Sequence, residues 1–249
     1  MSRAVRILGV DVDPVTLEEA ADRITDAIDA RHGHGGPVFQ VATVNPEFVM
    51  LARRDPAFRR ALQQCALRVA DGIGVAMASR ILGQPLPGRV PGAELVERVC
   101  EAAARRGDRV FLLGGAPGVA EAAAAALHAR YPALAVAGAF AGDATEAGDA
   151  DTLAAVSRAR ADIVLVAYGA PAQELWSERN LAASGATVAI GVGGTFDYLA
   201  GAVRRAPGWI RGIGLEWLYR LVRQPWRARR QVALWVFLGL VLRARVLGA

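Results

Sequence analysis

Asp71 stands where a catalytic carboxylate is expected in an α/β protein. It follows the apolar segment Leu67–Val69 and precedes Gly72 and Gly74, which let the backbone approach a ligand closely. A carboxylate at such a pocket edge, partly removed from water, can act as a general base. Asp is also favoured at helix N-caps and Asp-Gly marks turns, so the local sequence alone favours a cap on the following helix.

Thr43 and Asn45 carry the same two interpretations. They lie at the end of the apolar segment Val38–Val44, and Pro46 follows as a residue well suited to the first position of a helix. Their side chains either hydrogen-bond a sugar or a nucleotide, or cap the helix that Pro46 begins. The local sequence leaves both interpretations open.

Two glycine-rich turns indicate phosphate binding. Each follows an apolar segment and precedes a helical one, so free N–H groups meet the positive end of a helix dipole there. The first turn, Gly114–Gly118, lacks the full dinucleotide fingerprint, and close packing of a helix on the sheet is its alternative. The second, Gly191–Asp197, has the same alternative, and there we favour binding because a diphosphate needs several donors. The glycines expected to contact substrate are Gly114, Gly115, Gly193 and Gly194.

Arg89 and Gln173 lie in two further loops. The segment Gly83–Gly92 holds three prolines and three glycines, which exclude a regular element and indicate a functional loop. Arg89 in this loop can pair bidentately with a diphosphate, although a solvated charge is the commoner outcome. Gln173 follows a Gly-Ala-Pro turn, where it either hydrogen-bonds a sugar hydroxyl or opens a helix.

No metal site is predicted. The segment Asp11-Val12-Asp13 is similar to an Asp-x-Asp metal motif, but no nucleotide-binding half precedes it and Pro14 predicts a turn. The histidines His32, His34 and His128 are isolated. Neither a metal-ligand cluster nor a Ser-His-Asp arrangement therefore emerges from the sequence.

These candidate residues must be positioned by short apolar segments that alternate with Ala-, Leu-, Glu- and Arg-rich helical stretches. Most of the segments are continuously apolar, which is typical of parallel strands covered by helices on both faces. The predicted strands are Arg6–Val10, Val38–Val44, Leu67–Val69, Arg109–Leu113, Ala135–Phe140, Ile163–Ala167 and Thr187–Gly191. The sequence thus predicts an α/β, Rossmann-like layered fold with a mainly parallel sheet flanked by helices.

The C-terminal part of the chain is strongly basic. Residues 204–249 contain ten Arg and one acid, a charge of +9, so the preceding residues carry −4 of the total of +5. The apolar run Val232–Leu242 falls short of the about 20 residues that a membrane-spanning helix needs. We predict an α/β domain at 1–203 and a basic, amphipathic helical appendage at 204–249 that binds an anionic membrane surface rather than nucleic acid. The alternative is a helix packed on the chain's own core with solvated arginines.

Cys65 and Cys100 lie in helical stretches without metal-like spacing. We predict that both fill the core. Because no signal peptide precedes Val5, the reducing cytoplasm is the expected compartment.

Eight short motifs occur in an order that resembles one enzyme family. They are Thr43-Val44-Asn45-Pro46-Glu47, Asp71-Gly72-Ile73-Gly74, Arg89-Val90-Pro91-Gly92, Phe111-Leu112-Leu113-Gly114-Gly115, Gly169-Ala170-Pro171-Ala172-Gln173-Glu174, Gly191-Val192-Gly193-Gly194-Thr195-Phe196-Asp197, Arg205-Ala206-Pro207 and Gly214-Leu215-Glu216-Trp217-Leu218-Tyr219-Arg220. Together they resemble the WecG/TagA/CpsF glycosyltransferases, glycosyltransferase family 26, over most of the chain. One departure is Ala172, where the family usually has Lys.

The resemblance implies an inverting, metal-independent transfer of a sugar without a cofactor. The donor is a UDP-sugar of N-acetylmannosamine or a related hexose, and the acceptor is a polyprenyl-diphosphate-linked N-acetylglucosamine or a similar lipid-linked sugar. Such a reaction belongs to the synthesis of cell-surface polysaccharide or teichoic acid. It places the enzyme peripherally on the cytoplasmic face of the membrane, and the resemblance is compatible with a homo-oligomer.

Roles for single residues follow from the same resemblance. Asp71 is the general base that takes the proton of the acceptor hydroxyl, while Thr43 and Asn45 hold the reacting sugar or nucleotide. Gln173 contacts the sugar. Besides the glycine turns, the groups that hold the diphosphate and the leaving UDP are Arg89, Arg220, Arg223 and Arg227.

Two functions from other classes stay open on the residues alone. An NAD-dependent oxidoreductase would bind its dinucleotide at Gly114–Gly118. A non-catalytic lipid-binding adaptor would use residues 204–249 and would not need Asp71.

Overall fold

The computed structural model describes residues 3–203, 205–208, 210, 216–223 and 228–247. The strands are β1 (Val5–Ile7), β2 (Val10–Val12), β3 (Phe39–Val44), β4 (Leu67–Ala70), β5 (Arg109–Gly114), β6 (Ala135–Phe140), β7 (Ile163–Ala167) and β8 (Val188–Gly191). The helices are α1 (Leu17–His34), α2 (Pro46–Ala52), α3 (Pro56–Gln64), α4 (Ile73–Ile81), α5 (Gly92–Arg106), α6 (Val119–Arg130), α7 (Asp149–Ala159), α8 (Ala172–Ser184), α9 (Thr195–Leu199), α10 (Glu216–Arg223) and α11 (Ala228–Leu247).

Six of the strands form one parallel sheet in the order β4-β3-β8-β7-β5-β6. The predicted α/β class is confirmed, and each of these strands was predicted to within one residue at either end. Since all six run in the same direction, their carboxyl ends lie at one edge of the sheet. Loops that leave β3, β4, β7 and β8 therefore meet at that edge.

Strand β7 shows why continuous apolar runs predict these strands. Side chains of a strand point alternately to opposite faces of the sheet. Ile163 and Leu165 belong to a core cluster with α1, α5 and α6, whereas Val164 and Val166 belong to one with α7 and α8. Both faces are covered by helices, so every position of the strand must be apolar.

The single strand predicted at Arg6–Val10 is wrong. The segment is a hairpin in which β1 and β2 pair antiparallel, with Ile7 opposite Val10, outside the main sheet. Leu8 and Gly9 form its two-residue turn, and both have positive φ, 48° and 93°. Positive φ at both central residues is the conformation of a type I′ hairpin turn.

The C-terminal helix α11 has two different faces. Phe237 and Val241 are 1% and 0% exposed and pack into a core cluster with α2 and α4. Trp235 and Val246, on the other side, are 68% and 84% exposed. Packing on the chain's own core is thus confirmed for one face, and the outer face keeps exposed apolar side chains. None of the described helices is long and apolar enough to cross a membrane.

Both cysteines fill the core, as predicted. Cys65 and Cys100 are 3% and 0% exposed, and both are free thiols. Burial raises the pKa of the Cys100 thiol to about 12, which keeps it in the unreactive protonated form.

Candidate active site

A cavity of about 360 Å³ opens at the carboxyl ends of β3, β4 and β8, beside the loop that follows β7. Parallel α/β proteins bind ligands at this edge because the strands deliver their following loops there. The predicted site residues that line it are Thr43, Asn45, Asp71, Arg89, Gln173, Gly193 and Gly194. Tyr198, Arg205 and Leu234 also line it, although the sequence assigned them no role.

Asp71 is held by the backbone of two neighbouring elements. Its N–H donates to the carbonyl oxygen of Val44 at 2.7 Å. Its Oδ1 accepts from the N–H of Gly92, the first residue of α5, at 3.4 Å. Helix α4 has Gly72 as its N-cap residue, with no side-chain cap among the described residues. The prediction that Asp71 caps the following helix, α4, is therefore wrong, because its carboxylate instead contacts the first residue of α5.

Thr43 connects two strands at the floor of the cavity. It is 5% exposed, and its Oγ1 donates to the carbonyl oxygen of Gly191, at the end of β8, at 2.9 Å. Its methyl group lies against α5, since a Cβ on Gly92 would come within 3.3 Å of Thr43 Cγ2. A hydroxyl that donates to the protein keeps lone pairs, so Thr43 can still accept a hydrogen bond from a ligand.

Asn45 caps α2. Its Oδ1 accepts from the N–H of Phe48 at 3.1 Å, and Pro46 occupies the first helical position. The capping interpretation is confirmed for the carboxamide oxygen. Asn45 also lines the cavity, and its Nδ2 group carries two further donors.

Gln173 holds together two loops on the opposite side of the cavity. It is 1% exposed, and its Oε1 accepts from the N–H groups of Gly169 and Gly193, each at 3.0 Å. Its Nε2 donates to Glu174 Oε1 at 2.6 Å. The carboxamide therefore fixes the loop after β7 against the loop after β8. Gln173 also lies in the first turn of α8, so the helix-start interpretation is confirmed, and its contact with a sugar stays a prediction.

Glu174 is a buried carboxyl group directly behind Gln173. It is 1% exposed, and its Oε2 has no hydrogen-bond partner in the described part of the chain. Burial raises the pKa of Glu174 to about 8, so the group is largely neutral at pH 7. Sequence reasoning assigned it no role, because nothing local to Gly169–Glu174 shows that this side chain points into the protein.

Two arginines bring positive charge to the cavity. Arg89 lines it from the loop before α5, and Arg205 lines it from the segment after α9. Arg205 also pairs with α5, with its Nη2 3.4 Å from Glu94 Oε1 and its Nη1 3.8 Å from Glu97 Oε1. Guanidinium groups match the charge and the geometry of a diphosphate. The signal that points to Arg205 is its Arg-Ala-Pro motif at the start of the basic tail.

Gly114 and Gly115 do not line this cavity. Gly114 has a φ of +103°, and a Cβ there would lie 2.8 Å from the carbonyl carbon of Ala167 on β7. A Cβ on Gly115 would lie 3.4 Å from Val119 and 3.7 Å from Phe196. Close packing therefore accounts for Gly114, whereas the contacts at Gly115 are ordinary and its φ of +82° is what favours glycine there.

The C-terminal tail reaches the cavity through Leu234 of α11. Arg220 and Arg223 belong to α10, but their side chains lie outside what the structure describes. Arg227 lies outside the described residues altogether. Contact of these three arginines with substrate stays a prediction.

The acidic segment near the N-terminus is engaged in an ion pair. Asp13 Oδ2 accepts from the N–H of Arg68 at 2.7 Å and lies 3.2 Å from its Nη2. Within the described ranges, no three or more His, Cys, Asp or Glu side chains are grouped so as to hold a metal ion. The positive charge that the described residues offer at the cavity is that of arginines.

Comparisons with known proteins agree with this geometry. The model of the glycosyl transferase WecG/TagA/CpsF family matches residues 5–248. An N-acetylglucosaminyldiphosphoundecaprenol N-acetyl-beta-D-mannosaminyltransferase of Staphylococcus aureus (strain MW2) is 33% identical over 241 residues, 97% of this chain and 93% of that protein. The Bacillus subtilis (strain 168) protein of the same name is 34% identical over 196 residues, 78% of this chain and 75% of that protein. The chain is a glycosyltransferase and belongs to the WecG/TagA/CpsF family.

Proposed function

We propose that this glycosyltransferase moves N-acetylmannosamine, or a related hexose, from a UDP-sugar to a polyprenyl-diphosphate-linked N-acetylglucosamine. The observation that carries the proposal is the convergence of Asp71, Thr43, Asn45 and Arg89 on one cavity at the carboxyl edge of the sheet. The names of the two relatives supply the transferred sugar and the acceptor. Membership of a glycosyltransferase family replaces the oxidoreductase and lipid-adaptor alternatives.

In the proposed reaction, a hydroxyl oxygen of the acceptor sugar attacks the anomeric carbon of the donor. The bond between that carbon and the β-phosphate oxygen breaks, and UDP leaves with the electron pair. Asp71 takes the hydroxyl proton, and attack opposite to the leaving group inverts the configuration. A positioned general base typically contributes about 10²–10⁴-fold to the rate.

The placement of Asp71 supports this role. Its backbone is tied to Val44 and its carboxylate to the N–H of Gly92, so β3 and α5 together restrict its orientation. A base must be held within hydrogen-bond reach of the proton that it takes. Thr43 lies near the end of the neighbouring strand β3 and Asn45 directly follows it, and we propose that both hydrogen-bond the donor sugar.

Arginines are proposed to stabilise the leaving UDP in the place of a metal ion. Arg89 and Arg205 line the cavity, and fixed positive charges aimed at a developing phosphate charge lower the barrier of such a transfer. Arg220, Arg223 and Arg227 are proposed to complete this charge from the tail. Gly193 and Gly194 line the same cavity and bring backbone close to the diphosphate.

The outer face of α11 is proposed to lie on the cytoplasmic surface of the membrane. It exposes Trp235, Val236 and Val246 beside the exposed arginines Arg243 and Arg245. Apolar burial and attraction to anionic headgroups add at such a surface. A peripheral position there would bring the cavity to a lipid-linked acceptor.

The test is release of UDP from a panel of UDP-sugars, with a short-chain polyprenyl-diphosphate-N-acetylglucosamine acceptor and EDTA present. Wild type is compared with Asp71→Asn and with Asp55→Asn. Asp55 is the matched control, because its Oδ1 caps α3 by accepting from Ala57 at 2.9 Å and does not line the cavity.

We expect acceptor-dependent turnover that survives EDTA, falls at least about 100-fold in Asp71→Asn and is retained in Asp55→Asn. The donor that supports turnover identifies the transferred sugar. Turnover that EDTA abolishes would contradict metal independence. Equal turnover by Asp71→Asn and wild type would contradict the role of the base, and no turnover with any UDP-sugar would contradict the donor class.

A further inference from the structure

The orientation of the Gln173 carboxamide decides whether two loops of the cavity are held together. Its oxygen accepts from Gly169 and Gly193, which follow different strands. The opposite orientation would place the NH₂ group against those two N–H donors, donor against donor. The observed orientation is therefore the one that closes the two loops on each other.

The buried NH₂ group needs an acceptor on its own side. Gln173 is 1% exposed, so water does not serve it, and Glu174 Oε1 accepts from Nε2 at 2.6 Å. A buried donor left without a partner costs as much as a good hydrogen bond contributes. Without Glu174 Oε1, the observed orientation of the Gln173 carboxamide would lose the hydrogen bond that stabilises its NH₂ group.

The pair also fits tightly against the end of β8. A Cβ on Gly191 would lie 2.6 Å from Gln173 Nε2 and 2.7 Å from Glu174 Oε1, so any other residue there would have to displace this buried pair. The carbonyl oxygen of the same Gly191 accepts from Thr43. The side chains of Glu174, Gln173 and Thr43 thus meet around a single residue at the floor of the cavity.

We propose that Glu174 is a positioning residue of this glycosyltransferase, whose buried carboxyl group fixes the Gln173 carboxamide and through it the loops that contain Gly169 and Gly193. Glu174 does not line the cavity and touches no substrate in this role. The inference rests on the proposed transfer reaction for its effect on turnover, but the loop contacts can be measured separately.

The state of the carboxyl group agrees with this role. Burial raises the pKa of Glu174 to about 8, so at pH 7 it is mostly a neutral acid that accepts through one oxygen. Its backbone is fixed as well, since Gln40 Nε2 donates to the Glu174 carbonyl oxygen at 3.0 Å. A neutral amide of the same shape is thus the closest substitute for it.

The test compares Glu174→Gln, which keeps an acceptor oxygen, with Glu174→Leu, which removes it. Both changes are made in the wild type and in a Gln173→Ala background. Ser177→Ala is the matched control: Ser177 is 3% exposed on the same helix, and its Oγ donates to the backbone carbonyl of Gln173 at 2.8 Å. The readouts are amide hydrogen exchange of Gly169 and Gly193 by NMR, and kcat and KM for the UDP-sugar.

In Glu174→Leu we expect the amides of Gly169 and Gly193 to exchange about ten-fold faster or more, and kcat/KM to fall by a similar factor. Glu174→Gln should restore most of both, and Ser177→Ala should leave both amides protected. In the Gln173→Ala background, Glu174→Leu should add less than about two-fold, because its effect acts through a side chain that is no longer there.

Unchanged exchange at both glycines in folded Glu174→Leu would overturn the proposal. The proposal would also be overturned if Glu174→Leu lowered kcat/KM by the same factor in the Gln173→Ala background as in the wild type. Glu174 would then act by a route that does not involve Gln173. If wild type shows no turnover with UDP-sugars, the proposed function fails, and the exchange data alone still decide the positioning role.

Discussion

Replacing Glu174 by Gln is expected to change how the stability of the protein depends on pH. Burial raises the pKa of this carboxyl group from an ordinary 4.5 to about 8 in the folded protein. Between these values the folded protein binds one more proton than the unfolded chain, so the free energy of unfolding falls as the pH rises. The contribution is complete below about pH 4.5 and lost by about pH 8. Gln has no proton to lose, and the variant lacks this slope.

The size of the effect follows from the pKa difference. Each pKa unit corresponds to about 1.4 kcal/mol, so by pH 7 the wild type loses on the order of 3 kcal/mol that Glu174→Gln keeps. The difference between the two proteins should level off above about pH 8. Other groups, such as Asp149, whose pKa the hydrogen bond from Arg179 lowers, titrate alike in both proteins and cancel.

The assay is urea unfolding followed by tryptophan fluorescence at several values between about pH 5 and pH 8.5. Wild type, Glu174→Gln and Ser177→Ala are compared, because Ser177→Ala removes a buried hydrogen bond of the same helix without removing a titratable group. Its offset from wild type should stay constant with pH. Parallel curves for wild type and Glu174→Gln would refute the reasoning, since they would mean that the carboxyl group has no raised pKa in the folded protein.

Three further predictions concern the tail, the first glycine turn and the floor of the cavity. Phe237→Ala should lower the free energy of unfolding by about 3–5 kcal/mol, since the ring is 1% exposed. Trp235→Ala, at a residue 68% exposed, should change it by less than about 0.5 kcal/mol but weaken sedimentation with anionic vesicles, and unchanged sedimentation would count against the membrane role. Gly114→Ala should destabilise by about 2 kcal/mol or more, because its Cβ would lie 2.8 Å from the backbone of β7, while the KM for the UDP-sugar is kept. A raised KM at unchanged melting temperature would restore the phosphate-binding interpretation. Thr43→Val keeps the shape but loses the hydrogen bond to the Gly191 carbonyl, so kcat/KM should fall about ten-fold relative to a Thr43→Ser control, and equal kinetics in the two variants would contradict this.

The strands of the sheet could be predicted from the sequence, because burial on both faces requires a continuous run of apolar residues. Ile163–Ala167 is apolar at every position for that reason. The hairpin at the N-terminus could not be predicted in this way: Arg6–Val10 has the composition of a strand. Its turn depends on a positive φ at Leu8, a conformation that non-glycine residues rarely adopt.

Some residues of the site could likewise be predicted from the local sequence, and others could not. Asp71 and Thr43 were predicted because each lies at the end of an apolar run, and the ends of parallel strands share one edge. The contact of Asp71 with α5 and the contact of Gln173 with Gly193 were not predicted, since each joins residues about 20 positions apart. Arg205 and Glu174 likewise depend on packing between distant elements. Strand ends can be found from local patterns, whereas such pairings require the folded chain.

The two-faced helix α11 has a practical consequence for work with shortened chains. Leu234 forms part of the cavity wall, and Phe237 and Val241 fill the core one and two turns further on. A recombinant protein that ends before Ala228 would lose all three contributions together, along with any lipid contact of the outer face. Loss of activity on truncation therefore cannot be attributed to loss of a membrane anchor, and single substitutions on the outer face are the cleaner tool.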